Sequence, residues 1–220
     1  REGAGRPIRV LVVDDHDLFR TGLASLLSNA DGIEVVGQAS GGRTGARLAA
    51  ELSPDVVLMD LRMPDLSGPE ATRQIVEHNP DARVLALTVA SEEQDVAAVL
   101  HAGGCGFLAK DTPVDSLVVA IHAAASGAAW LSPRAAEVVL GQIRDAPEAD
   151  PTELAPIDEL SPRELDVLRL LADGLENAQI AAELHISPRT AKNHVSSILS
   201  KLGLPSRVQA AVYAVRRGVT

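Results

Sequence analysis

At 220 residues, 46% of them hydrophobic and 23% charged, the chain is long enough for one large or two modest globular domains. A single cysteine, Cys105, excludes an internal disulfide and argues against a cysteine-based metal site; no apolar run reaches the ~18 residues of a membrane span and no signal peptide is visible at the start. A cytoplasmic protein in a reducing compartment, with no membrane partner, is expected, and a net charge of -10 excludes an evenly basic nucleic-acid binder.

In chain order, residues 1–5 read as a tip outside the fold. From residue 8 to about 127, apolar and β-branched runs alternate with helical spacing. Strands are predicted at Ile8–Val13, Ile33–Ala39, Asp55–Met59, Arg83–Thr88 and Gly106–Ala109. Between them, Leu18, Leu23, Leu26 and Leu27, and later Val96, Val99 and Leu100, recur as on a helix. Five β units separated by helices imply an α/β domain with a parallel five-stranded sheet covered on both faces. After "GAAWLSP" (127–133) and a short helical pattern comes "DAPEADPTELAP" (145–156), whose three prolines and four acids read as a linker. From Leu160 no strand pattern returns, and four short helices make an all-α end. The first has Ser161 as N-cap, Pro162 at the first helical position and Glu164 closing a capping box. Its apolar stripe is Leu165, Leu168 and Leu171, and Gly174 ends it. The expected domains are 6–130, a linker with a short helix at 131–156, and 157–220.

The run "DVVLMDLRMP" (55–64) ends a fully apolar strand on a carboxylate, Asp60. An unpaired charge there is costly, so something must compensate it. Open α/β sheets bind ligands at the carboxyl ends of their strands. That rule gathers Asp14 and Asp15 after the first strand, Asp60 after the third, Thr88 after the fourth and Lys110 after the fifth. Three carboxylates in one small site repel each other unless a cation is present, and hard oxygen ligands suit Mg²⁺. Such a pocket fits phosphoryl transfer to a carboxylate: Asp60 is the natural nucleophile, with Lys110 and the Thr88 hydroxyl facing the transferred oxygens. Taken singly, Asp14, Asp15 and Asp17 would be turn formers or helix caps; their joint placement with Thr88 and Lys110 is what points to a site.

"VLVVDDHDLFRTGL", "DVVLMDLRMPDLSG", "VLALT" and "GCGFLAKD" resemble the receiver domain of two-component response regulators, from about Ile8 to Ala128. The resemblance implies a flavodoxin-like (βα)5 fold with Asp60 as phosphoacceptor. It implies that Asp15, Asp60 and the carbonyl of Arg62 ligate Mg²⁺ with help from Asp14, and that Thr88 and Lys110 contact the phosphoryl group. Phe107 matches the aromatic switch position that follows Thr88; its plain alternative is a core phenylalanine.

The charge is unevenly spread. Residues 1–156 hold 12 Lys/Arg against 23 Asp/Glu, whereas residues 157–220 hold 8 against 7. No acid follows Glu183, while Arg189, Lys192, Lys201, Arg207, Arg216 and Arg217 do, which points to a local polyanion contact. "NAQIAAELHISPRTAKNHVSSILSK" (177–201) reads as a helix with Ile180, Ala181 and Leu184 inward, the turn His185-Ile186-Ser187, and a second helix from Pro188. On that helix Ala191, Val195, Ile198 and Leu202 must face the core. Arg189, Lys192, Asn193, Ser196 and Ser200 then face outward, as a major-groove helix requires. A last helix, Ser206–Val215, has Val208, Ala211, Val212 and Val215 as a stripe that closes the core or builds a two-fold interface.

Residues 160–217 resemble a LuxR-type DNA-binding domain, and the whole chain resembles a NarL/FixJ-type response regulator. By that resemblance Pro188–Leu202 is the recognition helix. Lys192, Asn193 and Ser196 are base-facing, with Arg189, Thr190 and Lys201 completing the DNA contacts; Arg207 is expected on a phosphate. Ala191 stands where the family usually carries Val, and "ENAQIA" replaces "SNKEIA", removing a lysine. His194 fits the pattern as a packed, phosphate-facing or base-reading residue. The implied partners are a cognate histidine kinase and double-stranded DNA with a two-fold site, bound as a homodimer. The expected function is a DNA-binding regulator, not an enzyme, controlled by phosphorylation of Asp60. Two other readings stand beside it. A Mg²⁺-dependent phosphatase of haloacid-dehalogenase type needs two Asp separated by one residue after a single strand, whereas Asp14 and Asp15 are adjacent. An orphan regulator acting without phosphorylation would not need the five pocket residues.

Overall fold

A computed structural model describes residues 6–89, 93–128, 130–131, 157–204 and 206–219, without the side chains of 93–96 and 130–131. Five strands, β1 (Ile8–Val13), β2 (Ile33–Ala39), β3 (Val56–Asp60), β4 (Arg83–Thr88) and β5 (Gly106–Ala109), alternate with five helices. The helices are α1 (Asp17–Ser28), α2 (Gly42–Leu52), α3 (Gly68–His78), α4 (Glu93–His101) and α5 (Val114–Ser126). Every pairing is parallel, in the order β2-β1-β3-β4-β5, and a two-residue β6 (Trp130–Leu131) pairs with β5 at the edge. The sixth strand lies in "GAAWLSP", which the sequence places at the linker boundary. The expected short helix and the proline-rich linker lie outside the described residues.

β3 begins one residue later than expected and includes Asp60. All five of its residues are buried, because helices cover both faces of this central strand. One face carries Val10, Val12, Leu58, Leu85 and Leu108 against Leu23, Leu27 and Ile121. The other carries Leu11, Val13, Val57, Met59 and Val84 against Ala49, Ala71 and Ile75. Alternate residues of each strand therefore serve opposite layers. On α1 only Leu23 and Leu27 of the four predicted leucines are buried; Leu18 and Leu26 face solvent. Val99 and Leu100 of α4 are buried as expected, while the Val96 side chain lies outside the described residues.

The second unit has a 3-10 turn (Ile157–Glu159) and four helices: α6 (Pro162–Ala172), α7 (Asn177–Glu183), α8 (Pro188–Leu202) and α9 (Arg207–Arg216). The predicted capping box of Ser161 and Glu164 is present, and Gly174 takes the positive φ of 82° that ends α6. Val167, Leu168, Leu171, Ile180, Val195, Ile198 and Tyr213 form its core. The stripe predicted on α9 is rotated. Val208, Ala210, Tyr213 and Ala214 are buried, whereas Val215 is exposed and Ala211 and Val212 are half-buried. Tyr213 supplies the bulk that an aliphatic reading overlooked.

The two units touch at the amino-terminal end of the sheet. Ser126 Oγ donates to Glu176 Oε2 at 3.1 Å, and Lys192 Nζ lies 3.2 Å from Asp81 Oδ1, just before β4. A Cβ on Gly127 would stand 2.4 Å from Asn177 Nδ2.

Candidate functional site

The opposite, carboxyl-terminal end of the sheet holds the acidic pocket. Asp14 follows β1, Asp60 closes β3, Thr88 closes β4 and Lys110 follows β5. Asp14, Asp60 and Thr88 are 0%, 4% and 2% exposed. Lys110 Nζ bridges the two acids, 2.7 Å from Asp14 Oδ2 and 2.9 Å from Asp60 Oδ2. Its ammonium also sits 5.0 Å from the centre of the Phe19 ring, within cation-π range. Asp15 is half-buried beside the pocket, and Arg62, Val89 and Asp111 complete the cavity wall.

Local sequence explains these positions. The apolar run of β1 drives Val10–Val13 into the core and carries Asp14 to the sheet edge, where its N–H still donates to Ala39 O at 3.0 Å. Asp14 then divides its carboxylate. Oδ1 accepts from His16 N at 2.8 Å, an Asx turn that steers the chain into α1, while Oδ2 faces Lys110. After Asp60 the chain doubles back tightly: Gly68 N donates to Leu61 O at 3.0 Å, and a Cβ on Gly68 would stand 2.3 Å from Asp60 O. Only glycine fits there. The Ser67–Glu70 capping box starts α3 and pins the loop that carries Arg62.

Burial raises the Asp60 pKa above its usual value and the charge on Asp14 adds to that, outweighing Lys110 and a hydrogen bond from the Arg62 backbone. Burial alone would lower Lys110, but Asp14 and Asp60 hold it above the usual lysine range. The result is a fixed ammonium between two crowded carboxylates. Asp14 Oδ2 and Asp60 Oδ2 are buried against the Lys110 ammonium and Asp15 Oδ1 lies 2.8 Å from His16 Nδ1, each carboxylate oxygen keeping a further lone pair. Such oxygens have capacity for a hard cation. Phe107 is half-buried against Leu61, Ala86 and Val99, one strand from Thr88. His16 and Phe19 were not among the expected residues, although His16 adjoins Asp15 and Phe19 lies one helical turn further on.

On α8, Ala191, Val195, Ile198 and Leu202 are buried as the periodicity requires. Arg189 and Asn193 are exposed; Lys192, His194 and Ser196 are half-buried. Thr190 is half-buried beside the N-cap Ser187: its backbone N–H donates to Ser187 Oγ at 3.1 Å and its hydroxyl lies 2.8 Å from the same oxygen. Two basic residues expected on DNA phosphates have partners within the helical unit. Lys201 Nζ lies 2.7 Å from Glu164 Oε2, and Ser197 Oγ donates to Glu164 Oε1 at 2.6 Å. Arg207 is only 8% exposed and donates to Leu175 O at 2.7 Å and Asn177 Oδ1 at 3.4 Å. Its burial, with Arg83 nearby, draws its pKa down to about 10. Sequence shows the phase of apolar residues on a helix but not which charged residues find partners in other helices.

The Lys201 and Ser197 hydrogen bonds hold the Glu164 carboxyl down at about 2 rather than the usual 4.5. A depressed carboxyl stabilises the fold above its unfolded value and loses that contribution as pH falls toward its folded one. The helical unit is therefore expected to lose stability between about pH 4.5 and 2. Lys201→Ala should cost roughly 1–2 kcal/mol at neutral pH and flatten that acid limb. Thermal melts of both proteins across this range check it; unchanged limbs would mean that the clamp contributes nothing.

Residues 10–122 match the response regulator receiver domain family, and residues 158–214 match the luxR family of bacterial regulatory proteins. The chain is 43% identical over 209 residues to the transcriptional regulatory protein LiaR of Bacillus subtilis, covering 95% of this chain and 97% of LiaR. It is 41% identical over 207 residues to the nitrate/nitrite response regulator NarL of Escherichia coli, covering 94% of each. The crystal structure of the response regulator ChrA of a heme-sensing two-component system is similar, with a TM-score of 0.53 and 35% identity over 97% of this chain and 99% of ChrA.

Proposed function

This chain belongs to the NarL-type two-component response regulators, DNA-binding proteins that join a receiver domain to a LuxR-type domain, and from that premise we propose that Asp60 takes up a phosphoryl group that controls DNA binding. The observation that carries this is the Lys110 ammonium set between Asp14 and Asp60 at 2.7 and 2.9 Å. A carboxylate oxygen of Asp60 attacks phosphorus. The O–P bond forms as the bond from phosphorus to the donor nitrogen of a kinase histidine breaks, its electron pair leaving with that nitrogen. Lys110 is placed to neutralise the incoming oxygens, and Thr88 to hydrogen-bond one of them.

The carboxylate oxygens of Asp14, Asp15 and Asp60, ligand atoms within 4.8 Å of one another, fit a hard divalent cation. Mg²⁺ held by Asp15, Asp60 and the Arg62 carbonyl, with Asp14 assisting, would supply further positive charge to the phosphoryl oxygens. The receiver spans 6–130, the linker 131–156 and the DNA-binding domain 157–220. The chain acts in the cytoplasm as phosphoacceptor and DNA-binding homodimer rather than as an enzyme, with a histidine kinase and a two-fold promoter site as partners.

The test is labelled phosphate from a small phosphodonor, with and without Mg²⁺, followed by selection of bound sequences from random DNA. Mg²⁺-dependent labelling and tighter DNA binding are expected; no labelling with Mg²⁺ present would reject the reading. Thr88→Ala should still take up label but lose the link to DNA affinity, because the hydroxyl biases a two-state face that includes Phe107. Equal gains in DNA affinity on phosphorylation of wild type and Thr88→Ala would sink that part.

A further inference from the structure

His16 brings a nitrogen into the carboxylate cluster. Its Nδ1 lies 2.8 Å from Asp15 Oδ1, 3.3 Å from Asp14 Oδ1 and 3.9 Å from Asp60 Oδ2. One ring nitrogen thus stands at the focus of acids drawn from two strand tips. The ring is 68% exposed, so packing does not force it there. Nor does helix capping, since His16 occupies the N-cap of α1 without a side-chain hydrogen bond to it. Ligand atoms of Asp14, Asp15, His16 and Asp60 all lie within 4.8 Å of one another. Two of the acids, Asp14 and Asp60, are buried, and each sets an oxygen against the Lys110 ammonium at the same end of the sheet.

We propose that His16 is a metal ligand that sets the cation selectivity of this pocket, admitting late first-row divalent ions such as Co²⁺ and Ni²⁺ in competition with Mg²⁺. The proposal rests on the pocket being the Mg²⁺ site. An all-oxygen site suits Mg²⁺, which keeps its waters and gains little from imidazole. Co²⁺ and Ni²⁺ take imidazole readily, and their affinity for a mixed nitrogen and oxygen site exceeds that of earlier ions. Neutral imidazole adds no charge, so its presence discriminates between cations instead of strengthening the hold on all of them.

The experiment titrates Co²⁺, Ni²⁺ and Mg²⁺ separately into the full chain by calorimetry, using wild type, His16→Ala and Asp15→Asn, and records the visible absorption of the Co²⁺ complexes. His16→Ala should weaken Co²⁺ and Ni²⁺ by on the order of tenfold, leave Mg²⁺ within about twofold, and shift the Co²⁺ bands as a nitrogen ligand is lost. Asp15→Asn should weaken all three. If Asp15→Asn weakens Mg²⁺ but His16→Ala changes all three cations equally, or none, the ligand role of His16 is overturned while the pocket stands. If Asp15→Asn leaves Mg²⁺ binding intact, the pocket itself is misassigned and the His16 proposal falls with it.

Discussion

Asp60→Asn is expected to reduce phosphate labelling to background while leaving the fold intact. The amide matches the carboxylate in shape but has no anionic oxygen to attack phosphorus. Loss of labelling through unfolding is the competing explanation, and the electrostatics of the pocket separate the two. Asp60 is buried beside Asp14, and its pKa is raised above the usual 3.8 chiefly by that burial. A raised carboxyl pKa means that ionisation costs the folded state stability above its folded value, and this cost vanishes below about 3.8. The variant should therefore melt at the same or a higher temperature than wild type at neutral pH without divalent cations, the difference closing in acid. Lys110 retains Asp14 as its partner. Labelling at the wild-type rate in Asp60→Asn would remove Asp60 as the nucleophile, whatever the melts show.

The carboxylates were legible because the sheet rule converts strand ends into neighbours, and the strand ends themselves were marked by apolar runs. Asp14 stops the run Val10–Val13, and Lys110 follows Gly106–Ala109. Asp60 was placed one residue beyond its strand. Its inclusion in β3 follows from pairing with Leu87 of β4, a partner that periodicity alone does not reveal. What could not be read were contacts made by charged residues across long separations. Glu164 was legible as a cap, and it is one, yet its other oxygen, Oε1, accepts from Ser197 and the capping oxygen Oε2 also accepts from Lys201 of α8. Arg207 belongs to a basic run by sequence, but Leu175 before α7 and Asn177 at its start accept hydrogen bonds from it. A solvated charge and a buried one look identical in a chain until the surrounding helices are in place.

Lys192→Ala is expected to weaken binding to the preferred DNA site by on the order of 1–3 kcal/mol and to relax its sequence choice, since a base-edge contact discriminates between sequences. Arg189→Ala, at an exposed position beside the N-terminus of α8, should weaken specific and scrambled duplexes alike and lower the salt slope by about one. Lys201→Ala should alter the slope much less, because Glu164 already neutralises that ammonium. The structure adds a further requirement. Lys192 is 3.2 Å from Asp81 of the receiver, so the same ammonium cannot reach a base until that contact opens. Both side chains are substantially exposed, 40% and 55%, and a surface pair of this kind contributes only about 0.2–1 kcal/mol. Asp81→Ala should therefore raise the DNA affinity of the unphosphorylated protein by no more than about fivefold, and should give Lys192→Ala no gain when the two are combined. Titrations of these variants against both duplexes at several salt concentrations decide the matter. Equal losses on both duplexes for Lys192→Ala and Arg189→Ala would mean that α8 does not read the groove, and its assignment as the recognition helix would be withdrawn.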